Sequence, residues 1–252
     1  MLTSQKITIL LLIWLSILGA GNTFAQESVY EQLWNDPSVS KRIETDIEKY
    51  RKGDAVIEII DKKGKPLSRA NVTIQQQSHE FLFGCNLFAL GQLKTPELNR
   101  KYETFFANLF NSATVPFYWG DLEPDQGQKR FGEGSPRVWR RPPPDQLVKW
   151  CKEHHIEPKG HALMYAKNMF MPGWTIQNNP EAFLKQGHKH MAEIAKRYGD
   201  TFPIWDVANE EIPRIRHLEQ WHKVPDDYLE WCFKEADHLF PKHVKMLYND
   251  GT

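Results

Sequence analysis

The 252-residue chain has no surplus of either charge: 32 lysines and arginines stand against 32 aspartates and glutamates. With no net field to recruit a polyanion, nucleic acid is set aside as a partner. Cysteine is scarce and odd in number. Cys85, Cys151 and Cys232 are widely spaced, which excludes a disulfide framework and a CxxC zinc site. No residue spacing forms a metal cluster. Gly132 and Gly134 lie in a loop beside Pro136 with no strand directly before them, so they form no dinucleotide cradle. The sequence therefore implies no metal and no cofactor. Long hydrophobic runs are equally rare, and the single long one, Ile7 to Leu18, is too short to span a bilayer.

That run follows Lys6 and precedes small residues ending Thr23-Phe24-Ala25, the order of a secretory signal peptide cut near Ala25. The alternative is an uncleaved membrane anchor, which Ser16, Gly19, Gly21 and Asn22 disfavour by diluting the far side of the run. Residues 1–25 are read as an export signal, and the mature chain as secreted or periplasmic without stable membrane insertion. What remains has ordinary globular composition, 40% hydrophobic and 25% charged, and this excludes disorder, collagen and coiled coil. Oligomeric state is not legible.

Residues 26–78 read as one polar helix from Ser28 to Lys52, then a small β-rich element. Its two runs, Ala55 to Ile60 and Ala70 to Ile74, flank a turn containing Gly64 and Pro66. From residue 79 to 252 the pattern alternates. Strands are expected at Phe81–Asn86, Asn111–Phe117, Lys159–Tyr165, Phe202–Asn209 and Val244–Asn249. Helices are expected at Pro96–Phe110, Asp145–His155, Pro180–Tyr198 and Pro225–His238. Such alternation argues an α/β fold of parallel βαβ units.

The strongest chemical motif is Trp205-Asp206-Val207-Ala208-Asn209-Glu210, closing the fourth strand. At the C-terminal end of a parallel strand a carboxyl can enter a cleft with an amide beside it. That pair suits glycoside hydrolysis, in which an acid protonates the leaving oxygen and an amide holds a sugar hydroxyl. From this segment alone, Glu210 reads equally as a helix cap and Asn209 as a turn residue. Trp119, Tyr118, Tyr165, Trp174 and Trp205 lie in or just after strands. Flat rings there can stack on sugars or fill a core, and half of them are expected in the cleft.

Together with Lys159-Gly160-His161-Ala162-Leu163, with Leu122-Glu123-Pro124-Asp125-Gln126-Gly127 and with Asn249-Asp250, the motif resembles the family 10 glycoside hydrolases, endo-β-1,4-xylanases, from about His79 to Thr252. The resemblance implies a (β/α)8 TIM barrel of which about the first five strands are present. It implies a polysaccharide substrate, xylan or a related β-glycan, cleaved at internal links with retention. Glu210 matches the proton donor, Asn209 the residue binding the 2-hydroxyl at the cleavage point, and His161 a histidine on the same sugar. Asn249 and Asp250 match a structural pair. A related barrel acting on β-glucan or mannan would keep the same carboxylate chemistry.

Two departures stand out. Where the family carries Glu-Asn-Glu-Met-Lys, this chain has Thr114-Val115-Pro116-Phe117-Tyr118, so Tyr118 replaces a sugar-binding lysine. Tyr165 and Asn168 stand for the family's Trp and Gln on the non-reducing side of the cut, and Ala166 for a histidine. The second departure is the nucleophile. Retention needs two carboxylates roughly 5 Å apart, and the family's second one ends a seventh strand, expected beyond residue 252. Glu211 points to the opposite face if the strand continues, Glu123 matches a non-catalytic position, and Asp250 a structural one. A chain ending after five strands also leaves open sheet edges. An inactive fragment or a non-catalytic glycan-binding remnant is therefore the rival expectation.

Overall fold

The computed structural model describes residues 28–175 and 179–251. The expected export signal at residues 1–25 lies outside them. The chain divides into two compact units, one ending at Gln75 and the other beginning at Gln76. Among the described residues no helix is long and apolar enough to cross a membrane.

In the first unit the single expected helix is broken in two, α1 (Val29–Asn35) and α2 (Pro37–Tyr50). Pro37 has no N–H to continue the ladder. Asp36 instead accepts the Ser38 N–H at 2.8 Å and caps the second helix, with proline at its first position. The first helix starts from a reciprocal box, in which Ser28 N donates to Glu31 and Glu31 N to Ser28 Oγ at 3.2 Å. The β-rich element is confined to one antiparallel bridge, Ile60 with Pro66. Asp61 takes the N–H groups of Lys63 and Lys65, and Gly64 supplies the left-handed turn at φ 79°. The flanking runs go no further because they have no face to cover: Val56 is 95% and Ile74 71% exposed. An isolated strand pair is marginal in water.

The second unit is one parallel sheet in the order β1-β2-β3-β4-β5. Its strands are β1 (Gly84–Asn86), β2 (Ser112–Pro116), β3 (Glu157–Met164), β4 (Ile204–Asn209) and β5 (Lys245–Asn249). The connecting helices are α3 (Pro96–Leu109), a single turn α4 (Trp119–Leu122), α5 (Pro144–Glu153), α6 (Pro180–Tyr198), the short α7 (Glu211–Arg216) and α8 (Tyr228–Leu239). All five expected strands form, as do the four long helices, and α4 and α7 are additions. Strand β1 is shorter than the sequence pattern because the Asn111 side chain takes its place. Asn111 Oδ1 accepts from Phe83 N at 2.7 Å and its Nδ2 donates to Phe81 O at 2.9 Å. This is the front of a (β/α)8 barrel. Among the described residues β1 and β5 each pair on one side only.

Register decides which face each side chain meets. Gly160 of β3 stands opposite Trp205 of β4, and a Cβ on Gly160 would overlap the indole ring. Trp205 is fully buried against Phe117, Phe202 and Phe240, at ring distances of 4.7, 4.9 and 5.5 Å. Its neighbours Lys159, His161 and Asp206 turn to the other face. On α6, Gly187 allows an equally close approach, with a Cβ there 3.0 Å from Met164 of β3 and from Trp231 of α8.

Gly160→Ala is expected to destabilise the fold by about 3 kcal/mol, because a closed core cannot move the indole aside without strain. Urea denaturation checks it against Gly134→Ala, where a Cβ meets nothing within 4 Å and the change stays under about 0.5 kcal/mol.

Candidate active site

Four strand ends converge at the C-terminal side of the sheet. Strand β2 delivers Tyr118, β3 delivers His161 and Tyr165, β4 delivers Asn209 and Glu210, and β5 delivers Asn249 and Asp250.

The deepest group is Asp206, only 1% exposed. Its Oδ2 accepts from Lys159 Nζ at 2.9 Å and from His161 Nδ1 at 2.8 Å. A carboxylate can only accept, so Nδ1 of His161 carries a proton, and Nε2 faces away from Asp206. Its partner there is the Tyr118 hydroxyl at 3.1 Å. Burial pushes the Tyr118 phenol above its ordinary pKa, and the Arg141 guanidinium, 4.0 Å from its ring centre, pulls the other way. Arg141 is held in place by Asp121 at 2.9 Å.

A second chain of hydrogen bonds ends on Glu210. Asn249 Nδ2 donates to Asn209 Oδ1 at 2.7 Å, which turns the Asn209 amide toward Tyr165. The Tyr165 hydroxyl in turn donates to Glu210 Oε2. Burial, followed by this bond to a carboxylate, raises the Tyr165 pKa strongly, so the phenol stays a donor. Glu210 itself sits in the left-handed region at φ 57°, ψ 47°, as the residue before α7. For a non-glycine residue this conformation costs roughly 1–2 kcal/mol and accumulates at functional sites. The Glu210 N–H is fixed by Asn249 O at 2.9 Å.

The other nearby carboxylates are already engaged. Glu123 is buried and accepts from Trp119 Nε1, Gly127 N and Lys129 Nζ. Asp250 accepts from the Tyr248 hydroxyl, from Ile212 N and from Gly251 N. Glu211 pairs with Arg214, and its burial raises its pKa above the ordinary 4.5.

Of the six residues singled out in the sequence, Tyr118, His161, Tyr165, Asn209 and Glu210 come together. Asn168 is spent elsewhere: its Oδ1 meets His222 Nδ1 at 2.8 Å and its Nδ2 donates to Glu219 O at 3.3 Å, tying two loops. Among the five aromatic residues, Trp205 and Trp119 belong to the core, the latter stacked on His190 at 4.3 Å. Trp174 donates to Glu123 O at 3.0 Å and packs edge-on against Trp119. Sequence reasoning missed three participants. Asp206 was accessible through its alternation with Trp205 on one strand. Arg141 and Phe170 were not, since no local spacing ties a loop residue to a cleft. Phe170 closes the turn Asn168–Phe170 and stacks on Tyr118 at 4.7 Å and on Tyr165 at 4.8 Å. No cluster of three or more His, Cys, Asp or Glu side chains suited to a metal occurs among the described residues.

The sequence model of glycosyl hydrolase family 10 matches residues 73–251. Endo-1,4-beta-xylanase 5 of Arabidopsis thaliana is 24% identical over 208 residues, covering 81% of this chain and 33% of that protein. The anti-sigma-I factor RsgI6 of Acetivibrio thermocellus is 23% identical over 168 residues, 66% of this chain and 20% of that protein. Among solved structures, GH10 from Paenibacillus barcinonensis superposes with a TM-score of 0.51 at 22% identity, covering 68% of this chain and 51% of that one. The chain thus spans about half the length of that solved relative and about a third or less of these curated ones.

Burial gives Glu211 a measurable signature. With a folded-state pKa above the unfolded value near 4.5, its contribution to stability is complete below that value. It is lost as pH rises through the raised folded pKa. Glu211→Gln removes this loss, so denaturation at roughly pH 4 and pH 7 should show a flatter stability difference for the variant than for the parent.

Proposed function

Because the chain belongs to glycosyl hydrolase family 10, we propose that it forms the acid-bearing part of an exported retaining glycoside hydrolase acting on the β-1,4 links of xylan or a related plant glycan. The observation that carries the reading is the placement of Glu210. Its carboxyl stands at the end of β4, oriented by the Tyr165 hydroxyl and beside the Asn209 amide.

Glu210 as an acid gives its proton to the glycosidic oxygen as that bond breaks, and the resulting carboxylate then takes a proton from the water that releases the sugar. The nucleophile that holds the sugar between these steps is a second carboxylate, supplied from outside the described residues. Asn209 holds the 2-hydroxyl. His161 presents Nε2, with the Tyr118 hydroxyl beside it, toward the same sugar, and Asp206 fixes its tautomer. The reading of export is supported by the apolar run Ile7 to Leu18 and the small residues that end at Ala25.

A second reading, non-catalytic glycan binding, is favoured by one observation: Glu123, Asp206, Glu211 and Asp250 are each committed to local partners. The two readings diverge in one experiment. In the full gene product carrying this chain, Glu210→Gln is expected to lower xylan hydrolysis by about a thousandfold while leaving xylan binding in place. Release of reducing sugar measures the first and affinity electrophoresis the second. Equal hydrolysis by parent and variant overturns the assignment of Glu210, and binding without hydrolysis by the parent establishes the second reading.

A further inference from the structure

Tyr165 stands where the family places a sugar-facing tryptophan, yet it is only 6% exposed. Its ring is covered by Phe170 at 4.8 Å, nearly parallel at 26°, and flanked by Trp221 at 5.4 Å. Phe170 stacks on Tyr118 as well, at 4.7 Å and 25°, while Tyr118 and Tyr165 are 6.0 Å apart. The three rings form a closed triangle. Tyr118 is further covered by the Arg141 guanidinium at 4.0 Å. These separations are those of direct ring-on-ring contact, so no pyranose can lie on either tyrosine where Phe170 now lies.

Phe170 is held there by its loop. Asn168 is bonded to His222, Lys167 forms a bridge with Trp221, and Gly120 leaves room for the Met171 carbonyl, which a Cβ would approach to 2.9 Å. The same Tyr165 whose hydroxyl touches Glu210 carries Phe170 on its ring, which puts the phenyl group within one tyrosine's length of the acid.

We infer that Phe170 is a specificity-determining residue: it fills the non-reducing half of the cleft beyond the first sugar, so that this site takes the end of a β-1,4-xylose chain rather than its interior. The inference rests on the family reading of the cleft and departs from the cleavage at internal links that the resemblance implies. One sugar is read by Asn209, His161 and Glu210, and the next one back meets the phenyl ring. The polar family segment that would receive that second sugar is here Thr114 to Phe117, of which Val115 and Phe117 are fully buried.

Calorimetric titration of the chain and of Phe170→Ala with xylobiose, xylotriose and xylotetraose tests this without requiring turnover. Removing the ring is expected to tighten xylotetraose binding by about tenfold and to leave xylobiose unchanged. Phe170→Leu, which keeps the loop apolar but cannot lie flat over both tyrosines, should move the same way by less, and decides the matter if the alanine variant melts early. Equal affinities in parent and variants, or weaker binding once the ring is gone, overturn the proposal while leaving the glycan site standing; the second result would make Phe170 a sugar platform. Absence of binding of any oligomer by all three proteins overturns this inference and the proposed function together.

Discussion

The fit of the Trp205 indole over Gly160 is the contact on which the cleft depends. It lets β3 and β4 pair with no side chain between the indole and the facing backbone. By burying one face of β4 it also forces the alternate residue, Asp206, onto the opposite face. Full burial of an indole contributes roughly 5 kcal/mol of apolar transfer. A slip of one residue would exchange that ring for a carboxylate and leave the charge in the aromatic layer, a combination whose cost is comparable with a domain's whole net stability.

Asp206 illustrates how the opposing terms balance. A carboxylate 1% exposed loses most of its hydration, and a single partner would not make up the loss. Lys159 and His161 together offset part of it at Oδ2, while Oδ1 is buried without a hydrogen-bond partner; both lie on β3 two residues apart and follow from the same register. The arrangement stabilises little in net terms, but removing one partner would leave a buried charge unmatched. Its value is directional, since it fixes which nitrogen of His161 meets the Tyr118 hydroxyl. The chain from Asn249 through Asn209 and Tyr165 to Glu210 works likewise, each donor setting the orientation of the next. Together these contacts offset the strained backbone of Glu210.

Tyr118, just after β2, meets two neighbours in different ways. A phenol can meet an imidazole nitrogen and stack at the same time, and here it does both, toward His161 and Phe170. Positive charge reaches Tyr118 from a distant loop as Arg141, over its ring face. Tyr118, Tyr165 and Phe170 thus pack on one another.

Much of this was legible in the residues alone. Apolar periodicity set five strands and four long helices, because burial on a parallel sheet demands continuous apolar runs and helices demand an apolar stripe. The run from Trp205 to Glu210 marked a carboxyl and an amide side by side at a strand end, and the structure places both at the C-terminal side of the sheet. Single residues with local effects were also readable in principle, as with Pro37, which splits the first helix by lacking a donor. Contacts between segments were not. Asn111 capping β1, Asn168 bound to His222 rather than facing the cleft, and Phe170 lying over two tyrosines each depend on where another strand or loop falls in space. Sequence determined which groups exist and roughly which end of the sheet they reach. Only the packed structure decided which faces remain open, because a ring or an amide serves the cleft only if no closer neighbour has already claimed it.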